Sequence, residues 1–215
     1  MRVARSLVGL GGVIVVGVSA CGGSGYQFVQ NEDLGVYARL PDDWEVYDER
    51  DLFPDDSESE RERRTQALWV RTFDGSDEPS AEASTTPGEG DPTGVVQVRL
   101  LTPDEREQIN LSGLRGLGNP QGDPVAAARA NAPVQILVDE PIEFDGGFHG
   151  VHTVFAVTPQ EGGDLVVTDR TVLLDAASTT MFAFQVACAE DCYLETHKDE
   201  ITDIVDSWTI QEVDS

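Results

Sequence analysis

The chain has 215 residues, with 40 acidic side chains against 14 basic ones and a formal net charge of −26 at pH 7. That balance excludes a nucleic-acid binder, which needs clustered Lys and Arg against phosphate, and it opposes adhesion to anionic lipid headgroups. The length suits one well-cored domain, and the acidity reads as solubility before it reads as binding of a polycation.

The chain opens with Arg2 and Arg5, followed by an uncharged apolar run over Leu7–Val18. Such a run falls short of the roughly 20 residues that span a bilayer. A basic start, an apolar stretch and small residues before a cut are the parts of a secretory signal. Val18-Ser19-Ala20-Cys21 resembles the lipobox of bacterial lipoproteins. The resemblance implies that the Cys21 thiol takes a diacylglyceryl group and that residues 1–20 are then removed. Residues 21–33 are expected to be a lipidated flexible tether, opened by the glycines of Gly22–Gly25. Residues 34–212 are expected to form a single domain. The globule is then attached to the membrane through lipid, and its charge holds it off the headgroups.

Next, Val36, Ala38 and Leu40 alternate with Tyr37 and Arg39, the period of a strand. Pro41-Asp42-Asp43 turns the chain into a second short strand, Trp44–Tyr47. Residues 48–64 are mostly charged and end in Arg61-Glu62-Arg63-Arg64; pairing with Glu58, Glu60 and Glu62 is the simplest role for these arginines. A strand over 66–73 follows. Residues 74–93 are Ser, Thr, Pro, Gly, Asp and Glu with little to bury, and predict a disordered acidic insertion. A strand over 95–101 precedes a helix start at Thr102-Pro103-Asp104-Glu105, where Thr caps and Glu sits three residues on. Asp123-Pro124 marks another start.

From Val134 the pattern becomes regular. Four strands rich in Val, Thr and Phe are separated by Asp/Gly turns at 145–147, 161–164 and 175–178, which predicts an antiparallel meander. Residues 193–208 change period: Leu194, His197, Ile201, Ile204, Val205 and Trp208 recur at steps of three and four, a helix with one buried stripe and Asp191 as its cap. Cys188 and Cys192 bracket the corner between last strand and helix. In an exported protein they are expected to form a structural disulfide worth about 2 kcal/mol, ahead of a redox or metal-ligating role.

Two segments carry a resemblance. Leu40-Pro-Asp-Asp-Trp44 early, and Ile204-Val-Asp-Ser-Trp-Thr-Ile210 after the meander, with a lipobox in front, resemble the LpqN-type lipoproteins of actinobacteria. The domain of those proteins is similar to PsbP of photosystem II and to the Ran-binding nuclear-import factors. The resemblance implies an α+β fold, a central antiparallel sheet flanked by helices in an α/β/α sandwich. It supplies no catalytic residue. The chain contains no GxSxG, GxxxxGK[ST], HExxH or strand-borne GxGxxG motif. Of its three histidines, His197 lies on the apolar stripe, while His149 and His152 are three apart on a strand and point to opposite faces. The clusters Asp42-Asp43, Asp48-Glu49-Asp51 and Asp55-Asp56 lack the spacing of a calcium loop. The expected function is therefore a non-enzymatic module, without cofactor or metal, that binds an envelope protein or an apolar envelope metabolite. The alternatives are an envelope-polymer hydrolase with an unrecognised carboxylate pair and a divalent-cation binder.

Overall fold

The computed structural model describes residues 25–65, 67–86, 90–158 and 163–211. The signal, Cys21, the tether up to residue 24 and the tip of the acidic segment at 87–89 lie outside them, as do the side chains of Arg63 and Arg64.

In chain order the elements are β1 (Tyr26–Asn31), β2 (Val36–Pro41), β3 (Glu45–Tyr47), α1 (Glu49–Leu52), α2 (Glu58–Thr65), β4 (Trp69–Asp74), β5 (Thr93–Leu100), α3 (Pro103–Glu107), α4 (Leu111–Gly116) and α5 (Pro124–Arg129). They continue with β6 (Val134–Glu143), β7 (His149–Val157), β8 (Val166–Leu174), β9 (Thr180–Ala189), α6 (Lys198–Ser207) and β10 (Thr209–Ile210). The main sheet has seven strands in the order β3-β4-β5-β9-β8-β7-β6, and a three-stranded sheet has the order β1-β2-β10. Every pairing is antiparallel. The predicted meander is β6 to β9, and the α+β fold is as expected.

Alternation along these strands divides the main sheet into two covered faces. One carries Phe73, Val96, Val98, Phe182, Phe184 and Val186, packed under α6 and the small sheet. Aromatic rings run across it, with Trp44 5.8 Å from Phe73, Phe73 6.1 Å from Phe184 and Phe184 5.6 Å from Trp208. Each such ring contributes roughly 1.5–3 kcal/mol by leaving water. The opposite face carries Val151, Val172, Leu174, Met181 and Ala183 under Leu101 and Leu114. Strand β6 forms one edge, with a bulge between Ile136 and Val138 and Pro141 in its second half.

Three expectations need correction. Residues 26–31 are not tether: β1 pairs with β2 from Tyr26↔Pro41 to Asn31↔Val36 and buries Val29. Composition hid it, because Gln27, Gln30 and Asn31 dilute the apolar signal.

Residues 74–86 and 90–93 are not disordered, as the insertion was expected to be. Asp74 closes β4 and Thr93 opens β5. The buried Asp74 carboxylate accepts from the backbone N–H of Ser76 at 2.9 Å and of Ser80 at 3.0 Å. Ser84, on a 3-10 turn over Ala83–Thr85, is buried against Thr72 at 2.7 Å. Polar anchors thus supply the order that apolar burial does not.

The terminal helix is shorter than 193–208. Cys192–Thr196 form one wide π turn and α6 begins at Lys198. Asp191 makes no capping bond, Leu194 is exposed, and Ile201 and Ile204 are buried. The Cys188–Cys192 disulfide and the descent of Tyr193 to Asp169 hold this turn out of helical register. By contrast, Thr102 and Glu105 form the predicted capping box, and the Asp123 side chain accepts from the Val125 N–H at 2.9 Å.

Candidate functional site

A cleft of about 230 Å³ opens on the sheet face opposite α6, between α1, the 3-10 turn and strands β4, β5 and β9. Leu52, Phe53, Val70 and Val95 give it apolar walls; Thr72, Ser84, Thr85, Thr93, Gln97 and Gln185 give it neutral polar groups. Among the described residues no charged side chain lines it, which is notable in so acidic a chain. Helix α1 is placed by Glu49. Its carboxylate accepts from the Val70 backbone N–H at 3.1 Å and from Arg71 at 3.1 Å. Strand β3 reaches only Thr72–Asp74 of β4, so the Val70 amide is left to this side chain.

Beside the cleft, on the same face, three arginines fasten the helices α3 to α5. Arg99 pairs with Glu105 at 2.6 and 2.9 Å, and Arg115 with Asp139 at 2.6 and 2.7 Å. The buried Arg170 donates to the carbonyl oxygens of Arg115, at 3.1 Å, and Leu117. Burial, and secondly the charge of Arg99, lowers the Arg170 guanidinium to about 10. It therefore stays charged at neutral pH, held by peptide dipoles. Bidentate pairs of this kind fix geometry strongly. A smaller cavity, of about 200 Å³, lies among Gln108, Ile109, Leu114 and Leu117 with Glu105 as its one lining acid.

The Arg99 hydrogen bond is the main reason why the Glu105 carboxyl sits at about 2; burial opposes it and Thr102 assists. A depressed carboxylate stabilises the fold above its unfolded value and loses that contribution as pH falls through its folded value. The stability gap between the parent and Glu105→Gln is therefore expected to be full above pH 4.5 and to close as pH falls toward about 2. Urea melts at a series of pH values check this; a gap that stays constant to pH 2 contradicts it.

On the other face a hydrogen-bonded chain runs from the surface inward. His152 Nδ1 lies 3.5 Å from Glu140, its Nε2 lies 2.8 Å from the buried Asp169, and the Tyr193 hydroxyl donates to the other Asp169 oxygen at 2.7 Å. The hydrogen bond to Asp169 raises the His152 pKa against the opposing effect of burial. Burial first, then the Asp169 charge, raises Tyr193.

His149 lies elsewhere, with Nδ1 3.2 Å from the Gly147 carbonyl and Nε2 3.4 Å from the Ser178 hydroxyl. Among the described residues no carboxylate orients that histidine as a triad would require. His197 is half-buried and bonds Glu200 at 2.6 Å. Arg61 donates to the backbone carbonyls of Phe53 and Asp56. Among the described residues no three His, Cys, Asp or Glu side chains converge as a metal site would require.

Of the candidate site residues, Cys188 and Cys192 are brought together, at the corner predicted for them. The cleft residues went unseen because they come from five separated segments. Arg99 and Arg170 had a visible signal, a charge inside an apolar strand, VVQVRLL and VVTDRTVLL.

No protein-family model matches the chain, and no curated protein sequence matches it. Among solved structures it is similar to cyanobacterial PsbP (CyanoP) from Synechocystis sp. PCC 6803, with a TM-score of 0.52 and 15% identity over 90% of this chain and 99% of that one. It is also similar to LpqN of Mycobacterium tuberculosis, described as involved in cell envelope biogenesis, with a TM-score of 0.46 and 18% identity over 87% of this chain and 91% of that one. The chain therefore has a PsbP-like fold.

Proposed function

We propose that this chain is a lipoprotein of the LpqN type, anchored through Cys21 to the extracytoplasmic face of the cell membrane, and that it acts as a non-enzymatic binding module. The uncharged cleft beside α1 carries this reading. Apolar walls with a few neutral polar groups suit an uncharged, largely apolar envelope metabolite, or an apolar side chain presented by an envelope protein. A hydrolase of glycans would need two facing carboxylates, and among the described residues no acid lines this cleft. The Val18-Ser19-Ala20-Cys21 motif supports the anchor.

Two measurements test the reading. Cys21→Ser is expected to move most of the protein from the membrane pellet to the soluble fraction, since two acyl chains hold a protein firmly and none does not. Pull-down from detergent-solubilised membranes is expected to recover a reproducible apolar molecule or envelope protein. Val95→Phe, which fills the cleft, is expected to lower that recovery about tenfold, the equivalent of ~1.4 kcal/mol. Equal recovery by the filled variant contradicts a role for the cleft.

A further inference from the structure

We propose that the outer face of the three-stranded sheet lies on the membrane interface, with Phe28 inserted and Tyr26, Tyr37 and Arg39 at headgroup level. This rests on the Cys21 anchor and reverses one expectation drawn from charge, that the whole globule is held away from the bilayer.

The alternation of β1 and β2 sends Val29, Val36, Ala38 and Leu40 into the core. It sends Phe28 and Gln30 outward, opposite Arg39 and Tyr37. Phe28 is 66% exposed, more than any other large apolar side chain among the described residues. Arg39 stacks on Tyr26 with its guanidinium 4.4 Å from the ring centroid, and Asp203 lies 3.9 Å from Arg39 and 3.3 Å from the Tyr26 hydroxyl. The guanidinium charge is thus balanced within the face. A shallow groove of about 370 Å³ runs beside Phe28, past Tyr37, Ser207, Thr209 and Gln211, and among the described residues no carboxylate lines it. An exposed phenyl ring beside half-buried tyrosines and an arginine, among neutral polar groups, matches the interfacial zone of a bilayer, where amphipathic rings sit at headgroup level.

Reach makes the bilayer the natural occupant. Tyr26 follows Cys21 by five positions. Extended chain covers at most ~3.6 Å per residue, so β1 begins within roughly 18 Å of the lipid-bearing sulfur. The headgroup zone is itself only about 5–7 Å deep on each side. Asp42 and Asp43 lie near the start of β1 and Glu32 and Asp33 beyond its end, all exposed; they repel an anionic surface. The lipid that fits is zwitterionic.

The test uses the lipidated full chain carrying Phe28→Trp on phosphatidylcholine vesicles that bear a nitroxide at a shallow acyl position. Trp44, Trp69 and Trp208 are buried, 4%, 6% and 9% exposed, and give a constant background. The added indole is expected to lose about half its emission or more, consistent with insertion to interfacial depth. Phe28→Ser, which removes an exposed ring, is expected to co-pellet fully while amide exchange across Tyr26–Asn31 speeds to the rate of the soluble Cys21→Ser protein. Full co-pelleting of Phe28→Trp without added quenching overturns the proposal and leaves the anchor intact. A Cys21→Ser protein that still pellets overturns the anchor instead. A blue-shifted Phe28→Trp indole in the absence of vesicles shows that a second copy of the chain covers the face, and also overturns the proposal.

Discussion

Gly150→Ala is expected to lower stability by roughly 3–5 kcal/mol or to abolish soluble expression, the largest effect of any single methyl considered for this chain. Gly150 lies mid-sheet on β7, opposite Leu173 on one side and Ile142 on the other. A Cβ there would stand 1.8 Å from the Val172 carbonyl oxygen, 2.8 Å from its carbon and 2.9 Å from Leu173 Cα. These are backbone atoms of the neighbouring strand, so no side chain can swing aside. Relief requires the β7–β8 ladder to part, and that ladder carries one whole wall of the core. Glycine inside a strand commonly marks such an approach. Total stability of a domain is only about 5–15 kcal/mol, so the loss is a large fraction of it. Gly90→Ala, whose Cβ meets nothing within 4 Å, is the control, expected within about 0.5 kcal/mol of the parent. Urea midpoints compare the pair; a Gly150→Ala midpoint equal to that of the control is incompatible with the packing described.

Asp169→Ala is expected to cost about 1–3 kcal/mol, because it takes a buried acceptor from both His152 and Tyr193 and leaves His152 only its more exposed partner Glu140. Tyr193 loses its acceptor at the same stroke. That tyrosine follows the Cys188–Cys192 corner directly, so the π turn loses its attachment to the sheet. Asp169→Asn is milder, since an amide oxygen can still accept from Tyr193, and it isolates the charge. The folded His152 pKa lies above the ordinary value of 6.5. The histidine's contribution is therefore complete below pH 6.5 and declines as pH rises through the folded value. The parent is expected to lose stability across that window, and Asp169→Asn to lose less. Denaturant melts at stepped pH read the difference. A parent that gains on Asp169→Asn as pH rises past 6.5 would contradict the pairing.

How far these features could be read beforehand depended on where their causes lie. The meander was legible because its strands are rich in Val, Thr and Phe and are separated by local Asp/Gly turns. The Thr102–Glu105 box and the Cys188–Cys192 corner were legible for the same reason: all the atoms required lie within five residues. Strand β1 was not, since it buries Val29 alone and owes its form to β2. The segment after Asp74 was not, since composition counts apolar area and misses a buried carboxylate gathering backbone N–H groups. The cleft was least legible of all. Leu52, Val70, Ser84 and Gln185 have no sequence relation, and only the pairing of β4, β5 and β9 assembles them.

Strand β6 has a further consequence for molecules that share a crowded surface. A long open edge invites strand-by-strand addition and fibril growth. Here the bulge after Ile136 breaks the repeat, Pro141 withholds a donor, and exposed Glu140 and Glu143 repel an identical neighbour. The opposite border, β3, spans only Glu45–Tyr47. Copies packed side by side are thereby denied a template along which to polymerise.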